Sequence, residues 1–267
     1  MKYQVYNPPP ILKEYVRYFW SIDHEDDGGV EKIIKIFADR FPRLIFQNLD
    51  GHIPTKSDSG IVLPNSFLSG IITKQTKYHV KGSYSHIGVS FYPHAIKSLF
   101  GIDAQELTDS LPDITNFSSQ ELNEKLYDVS THEEKIEILV QYLTLKFFNF
   151  PTKTEEIKQI IHSGMDYSTT VKKMVTEHRI SERKLERMFK TSIGVSPKKF
   201  LRILRFEKAI NLLNSDKKNC IAEIAYELDY VDQSHFTKEF KDFSGFTPKD
   251  FQNKKKFGQE SSSFLIK

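Results

Sequence analysis

The chain has a single cysteine, Cys220, so it can form no internal disulfide and cannot assemble a zinc site from thiolates. No apolar run approaches the roughly 18 to 20 residues that span a bilayer. The first residues, Met1 to Pro8, lack the apolar stretch of a secretory signal. The expected address is therefore cytoplasmic, with no membrane as partner. No glycine-rich phosphate loop and no nucleophile–base arrangement is legible. His24, His79, His86 and His94 show no paired ligand spacing, and Pro93 lies between the last two. Neither a metal nor a cofactor is expected, and the chain does not read as an enzyme.

What is present is the composition of a globular protein: 39% hydrophobic and 27% charged residues over 267 positions, enough for one large or two ordinary domains. The net charge of +3 is unevenly spread. Residues 155–256 hold 21 Lys and Arg against 15 Asp and Glu, a net of +6, while the rest holds 17 against 20, a net of −3. A basic C-terminal half points towards double-stranded DNA as a partner, although basic faces are often only solvated.

The pattern along the chain reads as α+β. Residues 1–115 form a mixed α/β domain with prominent strands. Strands are expected at Arg43 to Gln47, Gly60 to Leu63 and Ser85 to Phe91, and helices at about Ile11 to Phe19 and from Pro93 to Phe100, stopped by Gly101. Residues 116–150 form a helical linker, with capping-box pairs at Ser118 with Glu121 and Thr131 with Glu134. Its second helix carries Ile136, Leu139, Val140, Leu143 and Phe147 at helical spacing. So broad an apolar face is covered either by its own domain or by a second subunit in a homodimer. Residues 149–153 break the helix and mark a boundary. Residues 155–256 read as all α, and residues 257–267 as a loose tail.

The C-terminal half contains an internal repeat. Leu185 to Phe200 aligns with Phe236 to Phe251 at an offset of 51, with identities at Phe189/Phe240, Lys190/Lys241, Gly194/Gly245, Pro197/Pro248, Lys198/Lys249 and Phe200/Phe251. In each copy a helix ends near a glycine, and a Ser-Pro or Thr-Pro pair opens the next, with proline in the first helical position. Upstream of each copy lies a short amphipathic helix, then a tight turn, then a second helix capped by Ser181 or Asp232. That is the layout of two helix-turn-helix units. One long helix from Ser196 to about Asn214 joins them.

Residues from about Thr169 to Gln252 resemble the DNA-binding domain of AraC/XylS transcription regulators. The resemblance rests on Ile224-Ala225, Ser234-His235-Phe236, Phe240-Lys241 and Gly245 to Phe251 in the second unit. Leu185, Arg187, Phe189-Lys190, Gly194, Ser196-Pro197 and Arg205 carry it in the first unit and spacer. Arg179 and Asp229 stand where that family usually has a glycine in each turn, and Gln252 where it usually has arginine. Arginine pays more than aspartate for left-handed backbone, so the first turn is expected to be slightly reshaped. The N-terminal part is similar to an uncharacterised domain often attached to AraC-type units, through Tyr6-Asn7-Pro8-Pro9, Leu12, Trp20, His86 to Pro93 and Leu99-Phe100-Gly101. This resemblance implies a sensor and a small-molecule effector, and names no ligand.

With Leu185, Met188 and Phe189 facing inward, Arg183, Glu186 and Arg187 are the side chains expected in the major groove. Arginine matches guanine bidentately, and glutamate accepts from cytosine. The second unit offers Gln233, Ser234, Thr237 and Lys238, with Lys238 at the repeat position of Arg187. The plain alternative for all seven is a solvated helix surface. Phe19, Trp20, Phe91 and Tyr92 either pack the core or line an effector pocket. A DNA-modifying or repair enzyme with an accessory AraC-like domain is the competing function. Its alkyl-transfer chemistry would fall to Cys220, which otherwise reads as a small core or capping residue.

Overall fold

The computed structural model describes residues 2–25, 28, 31–48, 55–117, 121–149, 154–163, 165–215, 220–253 and 263–266. Antiparallel pairing joins β1 (Lys2–Tyr6), β2 (Val16–His24), β8 (Tyr84–Phe91), β4 (Arg43–Asn48) and β6 (Ser66–Ser69) into a five-stranded sheet in that order. A four-stranded sheet runs β5 (Lys56–Ser57), β7 (Thr76–Val80), β3 (Lys32–Ile36), β9 (Ser263–Ile266).

Alternation along the strands gives the larger sheet two working faces. Ile87, Val89 and Phe91 of β8, with Leu44 and Phe46 of β4 and Phe19 of β2, pack under α1 (Ala95–Phe100), α2 (Glu121–Tyr127) and α3 (His132–Asn149). Tyr84 and His86, Ile45 and Gln47, and Trp20 and Ile22 turn the other way, into the space between the sheets. Gly88 is needed there: a β-carbon would sit 2.5 Å from the Trp20 indole and 2.7 Å from the Leu44 carbonyl.

Several expected elements differ in the structure. The helix expected over Ile11 to Phe19 is a short 3-10 turn at Pro10–Leu12 followed by β2. This interior strand has buried residues on both faces, Phe19 on one and Trp20 on the other, so its apolar residues show no clean alternation and imitate a helical stripe. Gly60 to Leu63 carries only an isolated bridge, Lys56 to Val62, and the regular strand is β6 a few residues later. The tail expected to be loose contributes β9, paired along β3 from Ile36↔Ser263 to Ile33↔Ile266.

Other expectations agree. Gly101 closes α1 in left-handed geometry, φ 71°. Thr131 and Glu134 exchange capping bonds at the start of α3. The broad stripe of α3 is covered within the chain: Ile136, Leu139 and Leu143 are buried against the larger sheet and its helices, leaving Leu145 and Phe148 exposed. Ser118 and the break at 150–153 lie outside the described residues.

Between residues 154 and 253 the regular elements among the described residues are all helices: α4 (Glu155–His162), α5 (Val171–His178), α6 (Glu182–Ser192), α7 (Pro197–Asn214), α8 (Ile221–Glu227), α9 (Gln233–Ser244) and α10 (Pro248–Gln252). Its core is aromatic, with Phe189, Phe200, Phe206, Phe236, Phe240, Phe243 and Phe251 almost wholly buried. Phe37, Ala38 and Ile71 of the N-terminal part belong to the same core. Among the described residues no helix is long and apolar enough to cross a membrane, and no group of three or more metal-ligating side chains gathers.

Candidate nucleic-acid interface

Each helix-turn-helix unit is built by local chemistry that the repeat dictates. Ser181 accepts from the Lys184 amide and Asp232 from the His235 amide, so α6 and α9 open on capped first turns. Ser196 and Thr247 cap α7 and α10 in the same way, with Pro197 and Pro248 following. The spacer α7 is one uninterrupted helix through Arg205.

The turns are closed by residues in left-handed geometry. Arg179 has φ 52° and ψ 42°, and Asp229 has φ 54°. The following amides, Ile180 and Tyr230, reach back to Val175 O at 3.3 Å and Ala225 O at 3.0 Å. Those are the return bonds of a Schellman ending. The first turn is therefore not reshaped, and Arg179 accepts the conformational cost. From there the units diverge by one residue: Ser181 follows Arg179 by two positions, whereas Asp232 follows Asp229 by three.

The proposed base-reading residues are accessible. Arg183 and Arg187 on α6 are exposed and Glu186 is half-buried; on α9 Gln233, Ser234 and Lys238 are exposed and Thr237 is half-buried. Leu185 and Phe189, and Phe236 and Phe240, fill the opposite faces with almost no exposure. All seven polar positions thus lie on the outward sides of the two helices. Lys184, on the same turn, is engaged by Glu156 of α4 at 2.5 Å. In the second unit Tyr230 donates to Glu239 at 2.9 Å, and Glu239 pairs with Arg202 of the spacer at 2.7 Å. This chain locks α9 to α7. Burial, and then the Glu239 carboxylate, hold the Tyr230 hydroxyl above its ordinary pKa, so it stays a donor. Cys220 is exposed and occupies the cap position of α8, where its amide donates to Glu223 at 3.0 Å.

Sequence reasoning missed how the two halves meet. The repeat glycines dock both units onto the N-terminal part. Gly194 accepts from Thr108 Oγ1 at 2.8 Å, and a β-carbon on it would press on Ala104 and Thr108. One on Gly245 would press on Lys35 and Gln75. Phe37 makes ring contacts with Phe206, Phe246 and Phe251 at centroid distances of 6.4, 6.3 and 5.9 Å. Lys35 Nζ lies 3.7 Å over the Phe246 ring, Arg40 pairs with Glu207 at 3.0 Å, and the Ala38 amide donates to Phe243 O at 3.0 Å. Only the Gly194/Gly245 identity pointed here, and it also had a capping explanation.

The strand β3 sits between two environments. Ile34 and Ile36 line a pocket between the sheets, while Lys35 and, just beyond the strand, Phe37 face the second helix-turn-helix unit. The pocket has a volume of about 160 Å³ and is walled mostly by apolar and aromatic side chains.

Comparison with known proteins fits this division. Residues 174–254 match the family described as a helix-turn-helix domain, HTH_18, and residues 4–113 match a domain of unknown function, DUF6597. The Msm operon regulatory protein of Streptococcus mutans is 30% identical over 97 residues, which is 36% of this chain and 34% of that protein. The transcriptional regulator GbdR of Pseudomonas aeruginosa is 26% identical over 107 residues, 40% of this chain and 29% of that protein. The chain spans about a third of the length of these curated relatives. Among solved structures, ToxT from Vibrio cholerae aligns with 88% of this chain and 98% of its own, at 14% identity and a TM-score of 0.44. An AraC-type regulator from Chromobacterium violaceum aligns with 37% of this chain and 90% of its own, at 20% identity and a TM-score of 0.34. The alkyl-transfer alternative finds no support among the curated relatives, which are named as regulators. The chain thus joins an N-terminal domain matching DUF6597 to a C-terminal domain matching HTH_18, the AraC-type helix-turn-helix domain.

Proposed function

We propose that the chain is a sequence-specific DNA-binding transcription regulator that places α6 and α9 in successive major grooves and is modulated by its N-terminal domain. The observation that carries the reading is the duplicated unit itself. Two capped helices with buried aromatic backs present Arg183, Glu186 and Arg187, and Gln233, Ser234, Thr237 and Lys238, on their outward faces. Successive major grooves on one side of a duplex lie about 34 Å apart. The unbroken α7 is the element that would hold that spacing.

Modulation is supported by β3. A molecule in the pocket presses on Ile34 and Ile36, and the adjacent Lys35 and Phe37 are anchored in the second unit. A shift of this strand therefore changes how the second unit is seated, which is the differential contact that effector control requires. A second copy of the chain is proposed to pair through the outer side of α3, where Leu145 and Phe148 are 63% and 64% exposed.

The test is selection of genomic DNA fragments with the full chain, followed by footprinting with and without a cell-metabolite extract. Two short protected blocks one helical turn apart are expected, with occupancy that responds to the extract. Binding no tighter to selected fragments than to random sequence would defeat the specific-regulator reading.

A further inference from the structure

The pocket between the sheets has a chemistry that narrows its ligand, on the reading that it is where an effector binds. Its volume, about 160 Å³, is close to that of engineered apolar cavities of roughly 150 Å³ that take up benzene. Rings from Tyr3, Trp20, Phe67, Tyr78 and Tyr84 contribute to its wall.

The polar groups on that wall fall into two sets. The first is already engaged. Arg43 is ion-paired with Asp39 at 2.5 Å, with both side chains almost wholly buried. Gln47 donates to Pro64 O at 2.8 Å and accepts from Thr55 Oγ1 at 2.6 Å. The cation at the wall is thus neutralised from within, and an anionic ligand would enter an apolar site with no counter-charge to meet it. The second set is unmet. Trp20 Nε1 and His86 Nδ1 are buried without a hydrogen-bond partner, on residues that are 6% and 8% exposed. They lie on the pocket face of neighbouring strands, where Trp20 is opposite Gly88 and Ile22 opposite His86. Burial pushes the His86 pKa down to about 4, so the ring is neutral and adds no charge. Buried polar atoms left unpaired are costly, and a ligand that pairs with them recovers that cost.

We propose that this pocket binds an uncharged, single-ring aromatic molecule bearing one hydroxyl group, a simple phenol, whose hydroxyl satisfies Trp20 Nε1 and His86 Nδ1. A hydroxyl suits both atoms because it accepts from the indole N–H and either donates to or accepts from the imidazole nitrogen. A carboxylate lacks its counter-charge.

Trp20 is the only tryptophan in the chain, so its emission reports the pocket directly. The full chain is titrated with p-cresol, toluene, benzoate and decanoate, following Trp20 emission and calorimetric heat. A saturable response to p-cresol is expected, about tenfold tighter than to toluene, the equivalent of one hydrogen bond. Benzoate and decanoate should not bind at concentrations that saturate with p-cresol. Ile45→Phe should fill the pocket and abolish the response with unchanged circular dichroism, and His86→Phe should remove the preference for p-cresol over toluene. If either variant does not fold, the ranking of the four probes on the unaltered chain decides.

Toluene binding as tightly as p-cresol, a carboxylate binding more tightly, or no probe binding would each overturn the proposal. DNA affinity, measured in parallel, separates it from the effector reading. A phenol that binds without altering DNA affinity sinks the coupling and leaves the ligand class intact. A carboxylate that alters DNA affinity does the reverse.

Discussion

Arg179 and Asp229 hold the same left-handed backbone position in the two helix-turn-helix turns, with φ 52° and 54°, although only the aspartate is a residue type that visits this region readily. The cost falls on Arg179, whose side chain gains nothing from a positive φ. Arg179→Gly is therefore expected to stabilise the chain by about 1 kcal/mol, the left-handed penalty less the added freedom of glycine in the unfolded state. Asp229→Gly should change stability by less than half as much. Urea midpoints at constant slope measure both, and an Arg179→Gly chain less stable than the parent would refute the strain argument.

Phe37 is an N-terminal residue that completes a C-terminal core, 1% exposed among Phe206, Phe246 and Phe251. Removing a buried phenylalanine costs about 3–5 kcal/mol. Because this one bridges the two halves, Phe37→Ala should also uncouple them. In the parent chain Trp20 emission and helical ellipticity are expected to be lost together on heating. In Phe37→Ala the two transitions should separate, and coincident transitions would show that other contacts carry the coupling.

Two buried histidines should make acid weaken the fold. Burial pushes His86 and His94 down to about 4, and for His94 the nearby His162 and Lys158 add to the effect. Between that value and the ordinary 6.5, the unfolded chain binds protons that the folded chain refuses. The contribution of these two groups is then greatest above about pH 6.5 and falls through the window to about pH 4, by on the order of 3 kcal/mol per histidine at the acid end, while burial pushes the Glu207 carboxyl up to about 7 and offsets part of that loss. Denaturant midpoints across that window check it. A His86→Gln, His94→Gln chain with an unchanged pH slope would remove these two groups as the cause.

The helical half was legible because its signals are local. Caps, Ser-Pro and Thr-Pro starts and closing glycines specify α5 to α10 within a few residues of each site. The β half was harder to read. Strand β2 has buried residues on both faces and imitates a helical stripe, and β9 is defined only by pairing with β3, more than 200 residues earlier in the chain. The recognition residues followed from fixing the buried side of each helix. The docking of Phe37, Arg40 and Lys35 did not, since ordinary core and surface residues at those positions would look the same in sequence. Removing residues 1–115 would uncover the apolar surface now filled by Phe37, Ala38 and Ile71. DNA experiments are therefore best made on the full chain.

Leu145 and Phe148 are three positions apart on α3 and form an apolar step on its outer side. If a second copy covers them, sedimentation of the full chain should show dimer at high concentration, and Leu145→Glu with Phe148→Glu should give monomer with an unchanged far-ultraviolet spectrum. A parent chain that stays monomeric with and without DNA would end the dimer proposal.

The two recognition helices should fail differently when their side chains are removed. Arg183 and Arg187 are exposed on the first turns of α6, and neither supports the buried face made by Leu185 and Phe189. Replacing either with alanine should leave stability within about 0.5 kcal/mol. If the lost contact is bidentate to guanine, DNA affinity should drop by about 1–3 kcal/mol, with preference relaxed in one protected block only. Lys238 occupies the equivalent position on α9, but a lysine ammonium fits a phosphate as readily as a base edge. For a phosphate contact, Lys238→Ala should weaken all sequences alike and reduce the salt slope by about 1. Quantitative footprints of the three variants at several salt concentrations separate the cases. Loss of preference in both blocks from a single α6 substitution would mean that the units do not read DNA independently, and uniform weakening by all three would reassign Arg183 and Arg187 to the phosphate backbone.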